Sequence, residues 1–397
     1  MIRDWSGLGN RKFGSGGRAT RLKDIRRASP EPSFIPCGPF GLTFNSVSHI
    51  VSSPFKISLR GVMEIRGLSA LVTGASGFIG GRLAERLATE EGARVRAMVR
   101  HAKKAERLRK LPLEIVQADL LDLESLRGAI DGCDLVFHCA AVVRETGDRN
   151  EFLRTNVKGT ENILNVSRDA GVKKFIHFSS VSVYGMNPPD RSDETTPFQP
   201  CGNLYCDTKI GAEKAVWAAH HEARLPVVVI RPANVYGPYS NPWTLRPVQL
   251  IRSGQMILIN GGTGLCNYVY IDNLLDATLI AAKRDSSVGQ VYLISDGNAV
   301  TWKEFFGYYA QMAGKPRMRS VPEWVGKAIA LGMEIFSKLT GKPPKITREA
   351  VGFLTREARF SIEKARRELG YQPRVSLEEG MKLTERWLRE AGYFAAD

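Results

Sequence analysis

The chain has 397 residues, 43% hydrophobic and 24% charged, a globular composition with room for one large or two ordinary domains. Its net charge of +15 is uneven, because residues 1–62 hold ten Lys/Arg against three acids. The remainder lacks a basic patch interleaved with aromatics, which argues against a nucleic-acid partner, and no run of about 18 apolar residues signals a membrane-spanning helix.

Residues 1–62 are rich in Gly, Ser, Pro and Arg and show no sustained periodicity. Such a segment is expected to be structureless. It reads either as an Arg- and Ser-rich targeting presequence or as sequence ahead of a natural start at Met63, the preferred reading. No cysteine pair has C-x-x-C spacing and no His cluster accompanies the six cysteines. Free thiols are therefore expected, with no metal site.

From residue 69 onward, strands and helices alternate. Ala70–Val72 is an apolar run of parallel-strand type, and Phe78–Ala88 has helical periodicity. Between them stand Gly74, Gly77 and Gly80. Strand, glycine turn and helix in this order form half of a dinucleotide-binding unit. Gly74 permits the turn, Gly77 admits a pyrophosphate close to the backbone, and Gly80 lets helix and strand pack. The helix start, with Ser76, Phe78 and Ile79, offers N–H groups and positive dipole to the phosphate.

Further strands are predicted at Arg94–Val99, Leu113–Gln117, Leu135–Ala140, Lys174–Ser179 and Val227–Arg231. Helices are predicted at Lys103–Arg109, from just past Asp119 through Ala129, at Glu151–Ala170 and at Tyr205–His221. This alternation is that of an α/β fold, a doubly wound parallel sheet of Rossmann type, with ligands at the carboxyl ends of the strands. Beyond Pro232 the pattern loosens. Strands are expected at Tyr268–Ile271 and Val291–Ser295. Helices are expected at Pro247–Ser253, Asn273–Lys283, Thr301–Ala313, Glu323–Leu339, Ile362–Leu369 and Leu377–Glu390. The expected division is a Rossmann domain over 63–236 and a smaller, helix-rich substrate lobe over 237–397, joined by 186–204. The apolar stretch from Trp324 to Phe336 could line a greasy pocket or touch a membrane, but a core helix of the lobe is the preferred reading.

Tyr205 and Lys209 stand four residues apart and so share one helix face. A phenol with a pKa of about 10 is a poor base at neutral pH. An adjacent ammonium favours the phenolate, and the pair can then exchange a proton with an alcohol or ketone. Ser180, at the end of the fifth strand, can hydrogen-bond the reacting oxygen. His138 and His177 fall within strands and read as core histidines.

These motifs occur in a telling order: the glycine triplet, Asp119-Leu120, His138-Cys-Ala140-Ala141, Asn156 within Thr-Asn-Val-Lys-Gly-Thr, Ser180, Tyr205-x-x-x-Lys209 and Arg231-Pro232-Ala-Asn-Val235-Tyr-Gly-Pro. From about Leu68 to the C-terminus the chain resembles the extended short-chain dehydrogenase/reductases, the NAD-dependent epimerase/dehydratase and 3β-hydroxysteroid dehydrogenase group. The resemblance implies Tyr205 as general acid or base, with Lys209 as its partner and a grip on the nicotinamide ribose. It implies Ser180 orienting the substrate oxygen and Asn156 bracing the helix behind the site. It places Asp119 and Leu120 near the adenine, Ala140 and Ala141 along the cofactor, and Pro232 and Val235 toward the nicotinamide. It also implies a homodimer through the helices 151–170 and 205–221, and a cytoplasmic location.

Two departures stand out. The acid expected about twenty residues past the glycine turn, which holds the ribose of NAD, is replaced by Arg100. A guanidinium suits a 2′-phosphate, so NADP is the preferred form of the NAD(P) cofactor, with adenine stacking by Arg100 as the alternative. Where many nucleotide-sugar enzymes of the group carry Arg-Asp, this chain has Cys266-Asn267. That weakens a diphosphate substrate unless Arg246 or Arg252 substitutes, and favours a steroid-like, lipid-linked or other less charged alcohol or ketone. The expected activity is NAD(P)-dependent interconversion of a secondary alcohol and a ketone. The alternatives are a nucleotide-sugar 4-epimerase or dehydratase with recycled NAD, and a non-catalytic NADP-binding regulator.

Overall fold

The computed structural model describes residues 61–144, 146–341, 344 and 346–394. The basic segment therefore lies outside the described residues up to residue 60. Its last two residues are not structureless as expected. Val62 forms an antiparallel bridge with Arg284, Gly61 accepts the Asp285 N–H, and Met63 follows by donating to Lys283 O.

Seven parallel strands form the central sheet: β1 (Ser69–Thr73), β2 (Arg94–Val99), β3 (Glu114–Gln117), β4 (Leu135–His138), β5 (Lys174–Phe178), β6 (Val227–Pro232) and, after three short strands elsewhere, β10 (Gln290–Ile294). Their spatial order is β10-β6-β5-β4-β1-β2-β3. The direction of winding reverses between β1 and β4, the position where such sheets open a ligand crevice. β1, β4 and β5 are buried at every position, as strands covered by helices on both faces must be. The covering helices include α1 (Phe78–Thr89), α2 (Leu123–Ile130), α3 (Arg149–Phe152), α4 (Gly159–Asp169) and α5 (Leu204–Ala223). A π-turn, Leu153–Lys158, joins α3 to α4, so the single helix expected over 151–170 carries a bulge. β10 comes from the 237–397 segment, yet pairs in parallel with β6. Its Tyr292, Leu293 and Ile294 are buried, which ties that stretch to the main sheet.

The remaining strands are short. β7 (Asn234–Tyr236), β9 (Leu265–Tyr270) and β11 (Ala299–Thr301) make one small sheet, and β8 (Ile257–Ile259) pairs with β12 (Arg319–Val321). Helices α6 (Arg246–Arg252), α7 (Ile271–Lys283), α8 (Trp302–Met312), α9 (Glu323–Thr340), α10 (Arg348–Thr355) and α11 (Leu377–Glu390) complete the chain. The helix expected over 362–369 ends in a π-turn at Ala365–Leu369. α10 and the three-residue strands have no counterpart in the sequence reading, being too short for periodicity to register.

One preferred reading is overturned. α9 is not a core helix. Only Gly326 and Ala330 are buried, against Ile259 and Val351, whereas Trp324 is 72% and Leu339 80% exposed. The helix approaches the lobe through its small residues because these allow close packing, and its bulky residues point outward.

Candidate active site

The parallel register brings the carboxyl ends of β1, β4, β5 and β6 to one edge. Thr73 pairs with His138, His138 with His177, and Phe178 with Ile230. Each strand then delivers one part of the site: the glycine turn after β1, Ala140 and Ala141 after β4, Ser180 after β5 and Pro232 at the end of β6.

The glycine turn closes tightly. Gly74 has φ +66°, and a Cβ there would lie 2.9 Å from the Ala140 backbone. A Cβ on Gly80 would stand 2.5 Å from the Gly74 carbonyl oxygen. Helix α1 begins at Phe78 with Gly77 as N-cap, no capping side chain and no acid in its first turn. Its first N–H groups thus meet no competing anion from their own helix. Thr73 Oγ1 accepts the Ala140 N–H at 3.1 Å, which locks the turn to the end of β4. These features fit a dinucleotide pyrophosphate: side chains are missing where its oxygens need the backbone.

The other residues assigned to the cofactor fall as follows. Ser76 is exposed beside the turn, and Phe78 and Ile79 are half-buried. Arg100 is exposed immediately past β2. Asp119 turns one carboxylate oxygen to the Leu121 N–H. Leu120 is buried against Gly159 of α4. Pro232 and Val235 are buried in β6 and β7.

Asn203 caps α5, accepting the N–H groups of Tyr205 and Cys206. Tyr205 therefore sits in the first turn, at the positive end of the helix dipole, which favours its phenolate. Its phenol lies beside the Ser180 hydroxyl. Burial raises the Tyr205 pKa, and the neighbouring Ser180 hydroxyl opposes that rise. Lys209, one turn further, is buried and donates Nζ to Phe178 O at 2.5 Å. Burial lowers its pKa to about 8, against the pull of Glu213. The sequence reading had the ammonium beside the phenol. In the structure Lys209 is anchored to the strand end, and Ser180 is the group that touches Tyr205.

Glu213 continues the same face of α5 and was missed in the sequence. It is completely buried, and its carboxylate takes three hydrogen bonds from Arg231, the shortest 2.6 Å. It also accepts the Ser179 hydroxyl at 2.5 Å and the Trp217 indole N–H at 3.2 Å. Arg231 in turn donates to the Tyr184 hydroxyl at 2.8 Å. A spacing of four residues from Lys209 was the available signal.

Asn156 lies in the π-turn. Its side chain bonds Val142 N–H, Val142 O and Thr208 Oγ1 at 2.7, 3.2 and 3.0 Å. It clamps the segment after β4 to α5 and makes no contact with Tyr205. The bulge is what turns this side chain toward both partners, a common use of π-turns near functional sites. His138 bonds Thr73 and Thr160 hydroxyls, and burial holds its pKa near about 3. It stays neutral, as does His177, whose pKa burial also lowers.

Cys201, Cys206 and Asp207 bring potential ligand atoms within 4.8 Å of one another. The Asp207 carboxylate is engaged by the Cys201 and Gly202 N–H groups and Cys206 Sγ by Ser182 O. The trio fastens the loop ahead of Tyr205.

The model of the NAD-dependent epimerase/dehydratase family matches residues 70–295, more than half of the chain. The chain belongs to that family. A ketoreductase of Stigmatella aurantiaca that acts on 4-hydroxy-2-methyl-3-oxo-4-farnesyl-3,4-dihydroquinoline-1-oxide is 32% identical, over 82% of this chain and 97% of that protein. The 3-beta-hydroxysteroid dehydrogenase of Mycolicibacterium neoaurum is 30% identical, over 78% of this chain and 88% of its own. Among solved structures, a dTDP-glucose 4,6-dehydratase from Streptomyces venezuelae with NAD bound superposes with a TM-score of 0.69 at 26% identity, covering 83% of this chain and 99% of that one. The family is enzymatic, and its oxidoreductases and NAD-binding Rossmann fold match the architecture described above.

At Cys266-Asn267, near the start of β9, the chain places no charged side chain. Of the two cations named above as substitutes, Arg252 is exposed at the end of α6 and Arg246 is half-buried at its start. Arg356, just past α10, lies near Cys266. It is 8% exposed, with Nε and Nη2 lacking hydrogen-bond partners among the described residues. Its guanidinium stacks 4.2 Å above Phe353. Asn267 is committed elsewhere, bonding Ala358 O and Phe360 N–H.

Proposed function

We propose that this enzyme interconverts a ketone and a secondary alcohol on an apolar substrate, using NAD(P) with NADP preferred. The observation that carries the reading is the neighbouring Ser180–Tyr205 pair, with the end of β5 braced against α5 by Lys209 and Glu213. In reduction, Ser180 and Tyr205 both donate hydrogen bonds to the substrate oxygen. Bound nicotinamide supplies the hydride to the carbonyl carbon. Tyr205 gives its proton to the developing alkoxide, where the Ser180 hydroxyl spreads the charge, and is reprotonated from water. Oxidation reverses each movement, with Tyr205 as the base. Lys209 holds the strand end in place through Phe178 O and would face the ribose of a bound cofactor.

An apolar substrate is supported by the substrates of the ketoreductase and steroid dehydrogenase relatives. Arg100 supports NADP, because it stands just past β2 where an acid would otherwise select NAD. A homodimer through α4 and α5 belongs to the same reading. Replacing Tyr205 by Phe tests the mechanism: turnover should fall by a factor of about 100 to 10,000 while cofactor binding persists. Full activity in that variant would refute it.

A second reading, a nucleotide-sugar epimerase or dehydratase, draws support from Arg356. Its unpaired guanidinium beside Cys266 could meet an anionic group that the Cys-Asn pair cannot. The nucleotide released on denaturation separates the two readings. Retained NAD near one per chain favours the epimerase or dehydratase, and an empty protein that binds added NADP favours the reductase.

A further inference from the structure

Helix α9 shows a face that no part of the described chain covers. Trp324, Leu331, Ile335 and Leu339 follow one another at helical spacing, with Ile329 and Phe336 beside them. All six are exposed, Ile335 by 52% and Phe336 by 59%. Single exposed apolar side chains are ordinary, but six contiguous ones on one helix mark an interaction surface. The helix has 18 residues and a length of about 27 Å.

What such a face contacts is decided by its border. Lys327 and Lys338, separated by three turns, line one edge of the apolar stripe, and both are exposed. Lys315, Arg317 and Arg319, just before the helix, are exposed as well. Between residues 315 and 348 the sequence carries eight Lys/Arg against two acids. Those acids are engaged locally: Glu323 pairs with Lys327 and Glu334 with Arg348. An apolar stripe rimmed by long cationic side chains matches the boundary of an anionic bilayer, where lysine stems lie along the apolar region and their heads reach phosphate. The 1–62 segment, with ten Lys/Arg against three acids, lacks the negative charge that such a rim attracts. No described helix is long and apolar enough to cross a membrane, and α9 itself carries Glu323, Lys327, Glu334 and Lys338.

We propose that α9 docks the protein on an anionic lipid surface, lying in the plane of the interface with Trp324, Leu331, Ile335, Phe336 and Leu339 among the acyl chains. The docking is independent of the reaction proposed above. α9 packs on α10 through Gly326, Ala330 and Val351, so it holds the substrate lobe against the bilayer.

The test uses the full chain and two vesicle preparations, pure phosphatidylcholine and phosphatidylcholine with 30% phosphatidylglycerol by order of magnitude, roughly the anionic share that attracts basic segments. Binding is expected on the anionic vesicles and is expected to weaken with added salt. Leu331→Ser with Phe336→Ser should lower partitioning at least about ten-fold, and Lys327→Ala with Lys338→Ala should lower it about five-fold or more. Thermal midpoints confirm that the variants remain folded. Any contribution of the 1–62 segment is common to all of them and cancels in the comparison. Brominated lipids should quench the part of the fluorescence that disappears in Trp324→Phe. Failure of that quenching, or equal partitioning of all variants, overturns the proposal. So does conversion of a dimer to a monomer by Leu331→Ser with Phe336→Ser at unchanged lipid binding, which would assign the face to a second copy of the chain.

Discussion

Glu213 accepts the Ser179 hydroxyl at 2.5 Å, one residue before the serine that touches Tyr205. The neighbouring carbonyl, Phe178 O, receives Lys209. Two consecutive residues of the strand end are thereby pinned to one face of α5, and Ser180 has little freedom left. A buried ion pair, Glu213–Arg231, is the anchor of this arrangement.

Removing that anchor should be costly. Glu213→Ala leaves Arg231 charged and buried without its partner, which is worth about 3–5 kcal/mol. Urea unfolding should register that loss. Glu213→Gln keeps the shape and should retain more stability, yet show a lower kcat with little change in cofactor KM, because the defect lies in the placement of Ser180. A kcat equal to the parent's in a folded Glu213→Gln protein would show that the pair is only structural.

Ser180→Ala removes a hydroxyl that stabilises charge on the reacting oxygen. The expected loss in kcat is about 100- to 1,000-fold, with cofactor affinity unchanged by fluorescence titration. The phenol of Tyr205 loses the neighbour that opposes its raised pKa, so the alkaline-side requirement of the oxidation direction should move to higher pH.

Lys209 has a distinctive effect on stability against pH. Its folded pKa is lowered by burial to about 8, below the unfolded value of about 10.4. Between these values the unfolded chain binds more protons than the native one, so stability rises with pH through this window. Lys209→Met removes the term. The stability of the parent minus that of Lys209→Met should therefore increase from pH 8 to pH 10 in denaturant titrations, and a flat difference would contradict the burial of the amine.

Gly80→Ala places a methyl carbon 2.5 Å from the Gly74 carbonyl oxygen. Both are backbone-defined positions, so the turn must open. We expect a loss of about 1–3 kcal/mol in stability and weaker cofactor binding, read by calorimetry with NAD and NADP alike.

Arg100→Asp reverses the charge just past β2. The ratio of NADP to NAD affinity should drop by about ten-fold or more. Equal loss of both cofactors would assign Arg100 to adenine stacking instead.

Much of this was legible from residue order alone. The spacing of Gly74, Gly77 and Gly80 between an apolar run and an amphipathic one specified the turn, because only glycine tolerates that backbone approach. Tyr205 and Lys209 share a face for reasons of helix geometry, and the α/β alternation left one class of sheet. Long elements such as α5 and α11 declare themselves because burial of one face repeats many times along them. What the tertiary structure decided concerns partners distant in sequence. Glu213 meets Arg231 and Ser179 only after α5 packs on β5 and β6. Asn156 reaches both Val142 and Thr208 only because a π-turn rotates it. β10 joins the main sheet from within a segment that local pattern assigned to the lobe. The direction of α9 was decided in the same way. The sequence showed an apolar helix there, but which of its faces meets the protein depended on how closely Ile259 and Val351 could approach Gly326 and Ala330.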